Sequence, residues 1–321
     1  MFKNKIILVT GGTGSWGNEL VKQLLEKNPK EIRIYSRGEF AQVTMERRFN
    51  DKRLKFIIGD VRQFGPLHDA CKGVSILFHL AALKHIPICE KYPYEAIKTN
   101  IEGTENVIKA AMYNGVQKVI DVSTDKACSP INFYGLTKSI GEKLIAHAST
   151  INSMTKFSIV RGGNVLGSNG SVVPHFIDQI NRFNKITVTN EEMTRYFLTL
   201  PEAISLLFIA ANFDDSGGIF VMKMPSCKII ELAKAIIAMK GNKDTKIEFM
   251  GIRQGEKLHE VLVSNYESPN TYEYGKDYYL IHNNELELPK VKFEEYSSND
   301  LLMDQKQIKQ LLERGGVSGQ A

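Results

Sequence analysis

Apolar, β-branched runs recur through the first half of the chain, at residues 5–10, 31–35, 54–58, 75–80, 119–123 and 157–161. Each is bounded by glycine or polar residues. The segments between them carry apolar positions at helical spacing, as Leu20, Leu24 and Leu25 do after the first run. Strand and helix alternate in this way to residue 160, the order that a doubly wound parallel α/β sheet requires. Residues 93–114 read as one long helix carrying Asn100, apolar on more than one side, which predicts packing against a partner subunit as well as the sheet. At residues 162–171 the character changes to glycine and asparagine, and a second, smaller lobe is expected to begin. A helix over 172–183 and a strand over 186–189 belong to that lobe, and an apolar helix over 201–212 is expected to return to the sheet. The chain thus divides into a sheet domain over 1–165, a mainly substrate-binding lobe over 166–296, and a polar tail over 297–321 whose last residues, 315–321, are expected to be disordered.

The first strand runs directly into Gly11-Gly12-Thr13-Gly14-Ser15-Trp16-Gly17 and then a helix. Strand, glycine turn and helix in that order make a dinucleotide site, so the sheet is expected to be Rossmann-like. Gly11 and Gly14 let the backbone turn tightly and approach a pyrophosphate, Gly17 lets helix and strand pack closely, and the helix N-terminus faces the phosphates. Thr13, Ser15 and Trp16 fall within the same turn. The second strand ends in Ser36-Arg37-Gly38, with no acidic residue where an NAD-specific fold holds the ribose 2′-hydroxyl. A hydroxyl and a guanidinium there suit a 2′-phosphate, so NADP is expected rather than NAD. Glu39 stands close by, and its place equally suits a first-turn carboxylate of the next helix. After the third strand comes Asp60-Val61, where Asp60 either accepts from an adenine amine or caps a helix. Ala81 and Ala82 are small enough for a cofactor to lie against the backbone, and Lys84-His85 follow on a loop expected to contact ligand.

At the carboxyl end of the fifth strand lies Ser123-Thr124-Asp125-Lys126-Ala127, leading into a helix from about residue 133. Open α/β sheets bind their ligands at that end. Tyr134 and Lys138, four apart, share one helix face, and the lysine is expected to lower the tyrosine pKa from about 10 toward working pH, making a general base. Asp125 and Lys126 supply a second set of proton-transfer groups, with Thr124 beside them. Further on, Gly251-Ile252-Arg253-Gln254-Gly255-Glu256-Lys257 puts a guanidinium and an ammonium on a glycine-flanked loop, either a diphosphate contact or a surface charge cluster. His259-Glu260 begins like a zinc-protease helix, but Val263 stands where the second histidine would be.

Composition narrows the partners. With 41 basic and 36 acidic residues the net charge of +5 is too mild and too dispersed for nucleic acid. The cysteines at 71, 89, 128 and 227 lack the paired spacing of a zinc site or a disulfide framework, so no metal is expected and a reducing compartment fits. No stretch reaches the ~18 apolar residues that span a bilayer. Residues 1–5 lack a signal-peptide pattern, and a soluble, cytoplasmic protein is expected.

These motifs together resemble the extended short-chain dehydrogenase/reductase superfamily and, within it, the C5-inverting UDP-N-acetylglucosamine 4,6-dehydratases that start pseudaminic acid synthesis. The superfamily marks are Gly11, Gly14 and Gly17 with Tyr134 and Lys138. The narrower marks are Ala82-Leu83-Lys84-His85-Ile86-Pro87, Ser123-Thr124-Asp125-Lys126-Ala127, Gly167-Ser168 with Gly170-Ser171-Val172-Val173-Pro174, Met193-Thr194-Arg195, and residues 251–253 with 255–260. The resemblance covers residues 11 to about 296. It implies a firmly held NADP and a UDP-sugar in the second lobe, with Asn164, Val172, Val173, Arg253 and Glu256 around the nucleotide and Thr194-Arg195 nearby. It also implies homo-oligomers, dimer or hexamer, built on a helical interface. In the reaction it implies, Tyr134 takes the proton of the sugar 4-hydroxyl while hydride leaves C4, neutral Lys126 removes the C5 proton, Asp125 protonates the departing 6-hydroxyl, and hydride returns to C6. A C5-retaining or alkene-releasing dehydratase would use the same residues. A UDP-sugar 4-epimerase would not need the acid–lysine pair, and a non-catalytic dinucleotide-binding regulator would be expected to have lost Tyr134 or Lys138. The chain departs from the family pattern at Gly38, at Cys128-Ser129, at Gln254 and at Gly162, where an aromatic usually stands.

Overall fold

The computed structural model describes residues 1–151, 154–168 and 170–317. The six expected strands are β1 (Ile6–Thr10), β2 (Glu31–Ser36), β3 (Leu54–Ile58), β4 (Ile76–His79), β5 (Lys118–Thr124) and β6 (Lys156–Gly162). They pair in parallel in the order 3-2-1-4-5-6. The intervening helices are α1 (Ser15–Leu25), α2 (Glu39–Phe49), α3 (Phe64–Ala70), α4 (Ile86–Lys91), α5 (Pro93–Ala96), α6 (Gly103–Tyr113) and α7 (Phe133–Ile151). Ile7, Leu8 and Val9 of β1 are fully buried. A parallel strand covered on both faces reads as an unbroken apolar run, which is why these strands were visible in the sequence. The chain reverses direction across the sheet between β1 and β4, so the crevice above those two strands is where an open α/β sheet takes its ligand.

The long helix expected over 93–114 is interrupted. Ile97–Glu102 form a π turn between α5 and α6, and such turns redirect side chains. Here Asn100 is buried, accepts from Leu83 N–H, and donates to the Leu83 carbonyl and the Thr137 hydroxyl. One amide thereby ties the loop after β4 to α7.

The remaining elements are β7 (Asn164–Val165), α8 (Val172–Phe183), β8 (Lys185–Val188), β9 (Thr194–Leu198), α9 (Leu200–Asn212), β10 (Gly218–Met222), β11 (Ser226–Lys228), α10 (Ile229–Lys240), β12 (Lys246–Phe249), β13 (Val261–Val263), β14 (Thr271–Tyr274), β15 (Tyr278–Ile281), β16 (Tyr296–Ser297) and α11 (Gln305–Arg314). Helix α9 returns to the sheet as expected, entering through a capping box of Thr199 and Glu202 and packing on β5, β6 and β10. Three strands return with it: β10 adds in parallel to β6, then β15 and β14 follow antiparallel, extending the sheet to nine strands. A second apolar core gathers Val173, Phe176 and Ile180 of α8 with Leu232 and Ile236 of α10.

The polar tail expected over 297–321 needs correction. Asp304 and Gln307 form a capping box that starts α11, whose Ile308, Leu311 and Leu312 are fully buried in that second core together with Val317. The segment reads as polar because only one stripe of a surface helix is apolar. Residues 318–321, the rest of the expected disordered end, lie outside the described residues. Among the described residues, no helix is long and apolar enough to cross a membrane.

Candidate active site

The glycine turn closes against the end of β4. Gly11 has φ +66°, a left-handed conformation that favours glycine, and a Cβ there would lie 2.8 Å from the Ala81 backbone nitrogen. A Cβ on Gly17 would lie 2.2 Å from the Gly12 carbonyl oxygen, so the packing of α1 on the turn admits no side chain. Gly14 is the N-cap of α1, and no side chain caps this end. Bare backbone at a helix N-terminus, at the sheet's crevice, fits the pyrophosphate of a dinucleotide.

Around the expected ribose end, Thr13 Oγ1 lies 3.4 Å from Ser36 Oγ, which also accepts from Gln42. Arg37 is exposed beside it, and Glu39 sits in the first turn of α2, as its position allowed. Asp60 does not cap α3, whose N-cap is Gln63. Its carboxylate accepts from the Arg62 backbone and guanidinium instead. Burial would raise the Asp60 pKa, but these bonds lower it overall. Val61 beside it is buried, and Ala82 and Lys84 continue the loop after β4, Lys84 exposed.

The departure at Gly162 has a steric counterpart. A Cβ at Gly162 would lie 3.1 Å from Trp16 Cη2 and 3.2 Å from Cζ2. The indole from the first turn of α1 occupies the space that a side chain at the end of β6 would need.

The turn after β5 gathers the expected proton-transfer groups. Asp125 N–H donates to the Gly162 carbonyl, which sets the turn against β6. Asp125 is buried; its Oδ1 accepts from Thr124 Oγ1 at 2.9 Å and from Lys126 Nζ at 3.0 Å, while its Oδ2 has no hydrogen-bond partner among the described residues. The same ammonium meets Glu260, with Oε1 3.2 Å from Lys126 Nζ. Lys126 keeps 16% of its side chain exposed, against 2% for each carboxylate. Thr124 also lies beside the Tyr134 hydroxyl and favours its anion. Thr124, Asp125, Lys126 and Tyr134 are thus brought together as expected.

The protein's own charges do not by themselves make either expected base. Tyr134 and Lys138 share a helix face, but Lys138 Nζ lies 3.3 Å from the fully buried Asp121 carboxylate. Burial pushes the Tyr134 hydroxyl up to about 12, with Thr124 and Lys126 only partly opposing it. Nor is Lys126 disposed to be neutral. Burial works against its charge, but the Asp125 and Glu260 carboxylates outweigh that and raise its pKa. Asp125 suits an acid, because burial and the Glu260 charge raise its pKa against the pull of Lys126.

The substrate residues expected in the second lobe divide into two groups. Arg253 and Glu256 face each other on an exposed loop, 4.0 Å apart. Asn164 is half-buried in β7, next to the end of β6; Val172 and Val173 open α8, with Val173 buried in the second core. Thr194 and Arg195 instead do structural work on the loop before β13. Thr194 Oγ1 bonds His259 Nδ1 and Ser298 Oγ, and the Arg195 guanidinium donates to the carbonyls of Thr194, Lys257 and Leu258. The same loop is clipped to the segment after β5 by Asn132 on the Gly255 carbonyl and by Lys257 on the Cys128 carbonyl. Cys128 is buried and its thiol pushed up to about 12 by burial, so it is no thiolate. Sequence reasoning missed Glu260 and Asp121. Glu260 stood in plain view beside His259, but nothing local says which distant lysine it meets.

The profile of the polysaccharide biosynthesis protein family matches residues 7–282. A UDP-glucose 4-epimerase of Rickettsia bellii is 46% identical over 287 residues, covering 88% of this chain and 84% of that protein. A UDP-N-acetylglucosamine 4,6-dehydratase (inverting) of Campylobacter jejuni is 45% identical over the same length and coverage. Among solved structures, Pen from Bacillus thuringiensis superposes with a TM-score of 0.94 at 36% identity, covering 99% of both chains.

Proposed function

The chain belongs to the polysaccharide biosynthesis protein family, and we propose that it removes water from UDP-N-acetylglucosamine across C5 and C6, with inversion at C5, to give a UDP-4-keto-6-deoxy-hexosamine for surface glycans of the pseudaminic acid type. The observation that carries this reading is the Asp125–Lys126 pair, 3.0 Å apart and one helix start away from Tyr134. Oxidation at C4 needs one base, whereas elimination needs a second base and an acid.

A nicotinamide dinucleotide in the glycine cradle, NADP by the character of Ser36-Arg37, would accept hydride from C4 and return it to C6. The protein's own groups move the protons. Tyr134, beside Thr124, receives the 4-hydroxyl proton as its phenolate, a form that the positive charge of an oxidised nicotinamide would favour. The resulting ketone acidifies C5–H. Lys126, once it has shed a proton, takes that hydrogen as H⁺ while the C6–O bond breaks and Asp125 protonates the leaving oxygen, so that water departs. Asp125 ends as carboxylate and Lys126 as ammonium. Lys126 then gives its proton to C5, and the proton that Tyr134 took from the 4-hydroxyl passes by way of Thr124, which bonds Asp125 Oδ1, to Asp125, so that the acid, the amine and the phenolate are all restored. Arg253 and Glu256 are proposed to receive the nucleotide, which the exposed loop around Gly251 would bring over the sugar.

A second reading has one observation in its favour: relatives such as the Rickettsia protein carry the name of an epimerase. An epimerase keeps the 6-hydroxyl. Incubation with UDP-N-acetylglucosamine and mass spectrometry of the product separate the two: a species lighter by one water is expected, and an unchanged mass with inverted C4 would establish the epimerase instead.

A further inference from the structure

Lys126 meets two carboxylates, and the second of them is unassigned by any reading above. Glu260 is 2% exposed and stands immediately before β13. Its backbone N–H donates to the Ser298 hydroxyl oxygen, Ser298 in turn bonds Thr194, and Arg195 Nε lies 3.5 Å from its Oε1. Two segments distant in sequence, 194–195 and 298, therefore converge to hold one carboxylate against Lys126. Its other oxygen, Oε2, is buried with no hydrogen-bond partner among the described residues, as is Asp125 Oδ2. Burying a carboxylate oxygen unpaired is costly, and such an arrangement persists where the charge serves something.

We propose that Glu260 is a positioning residue for elimination: it anchors Lys126 Nζ opposite Asp125 and governs when the pair gives up its second proton. This rests on the dehydratase reading for its chemistry, though not for its electrostatics. The working pair needs an acid on Asp125 and a free amine on Lys126, one proton between them. The charges that face Lys126 are Asp125 on its own turn, Glu260 before β13, Arg195 on β9 and Tyr134 on α7, with Lys257 acting on Glu260. Burial disfavours the Glu260 anion, but Lys126, Arg195 and Lys257 outweigh it and lower its pKa. A lasting negative charge there keeps the proton on Lys126 and on Asp125 alike. Both protonations move together when that charge is removed.

The test compares wild type, Glu260→Gln and Glu260→Asp. The rate of dehydrated product against pH is expected to be bell-shaped, and in Glu260→Gln both limbs should move toward acid by about one to three pH units, the usual effect of a neighbouring charge. Glu260→Asp, which keeps the charge on a shorter stem, should restore most of the wild-type profile. A lower rate with unmoved limbs would overturn the proposal and leave Glu260 a structural residue. Competitive acetylation of Lys126, followed by peptide mass spectrometry across pH, reads the same amine without turnover. It should show the same acidward shift, and an unshifted curve counts against Glu260 even if Glu260→Gln is inactive. Should Glu260→Gln fail to fold, labelling of Glu260→Asp decides: a midpoint unchanged or moved toward base, with the carboxylate drawn back from Nζ, overturns the idea, and a small acidward shift supports it. If wild type releases no water but the labelling shift is present, the dehydratase reading falls and the role of Glu260 stands.

Discussion

Tyr134 shows how far a side chain's chemistry depends on its neighbours. Its partner four residues on, Lys138, is where helical spacing places it, yet the ammonium is held by Asp121, a carboxylate of the preceding strand whose Oδ1 has no hydrogen-bond partner. Removing that charge should free Lys138 to act one turn away on Tyr134. In Asp121→Asn the pH at which C4 oxidation reaches half its maximum is expected to fall by about one unit, because a phenolate facing an unpaired ammonium forms at lower pH. Stopped-flow absorbance of the reduced cofactor across pH checks this, and an unmoved midpoint would mean that Lys138 acts elsewhere. Asp121 was illegible in the sequence because it lies within a strand that reads as apolar, where a charge has meaning only once its partner is known.

At the scale of elements, the contact between α1 and β6 explains an oddity that the sequence exposes without accounting for. The resemblance implies an aromatic where Gly162 stands, and the ring of Trp16 fills the space in front of it. Gly162→Tyr should overpack this contact and cost about 1–3 kcal/mol, lowering the melting temperature. Trp16→Ser combined with Gly162→Tyr should recover part of that loss, since the two changes exchange one ring for another. Differential scanning calorimetry of the two single variants and the pair provides the check, and strict additivity would refute the coupling. The π turn between α5 and α6 belongs to the same class of feature. Its residues have ordinary helical character, and only the demand that Asn100 reach both Leu83 and Thr137 distinguishes them.

For the whole molecule, the covering helices leave apolar surface without a partner in the protomer. Leu136 and Ile140, four apart on α7, are each 45% exposed, and Tyr94 on α5 is 76% exposed. Apolar side chains repeated on one helix face mark an interface when nothing in the same chain covers them, in line with the expected homo-oligomer. Leu136→Asp with Ile140→Asp is predicted to reduce the mass measured by light scattering to that of one protomer, with the fold retained by circular dichroism. An unchanged mass would place the contact elsewhere.

Local order alone determined much of this protein. Uninterrupted apolar runs declared the six parallel strands, the glycine turn declared the cradle at Gly11–Gly17, and helical spacing put Tyr134 and Lys138 on one face, because each depends on residues a few positions apart. Tertiary structure decided what distance along the chain conceals. It returned β10, β14 and β15 to the sheet, buried one stripe of α11 in the second core, set Trp16 against Gly162, and brought Glu260 to Lys126. Those outcomes depend on which surfaces remain to be covered once the local elements have formed. The charge state of a buried lysine, in particular, follows from the carboxylates that packing leaves beside it and from no property of its own segment.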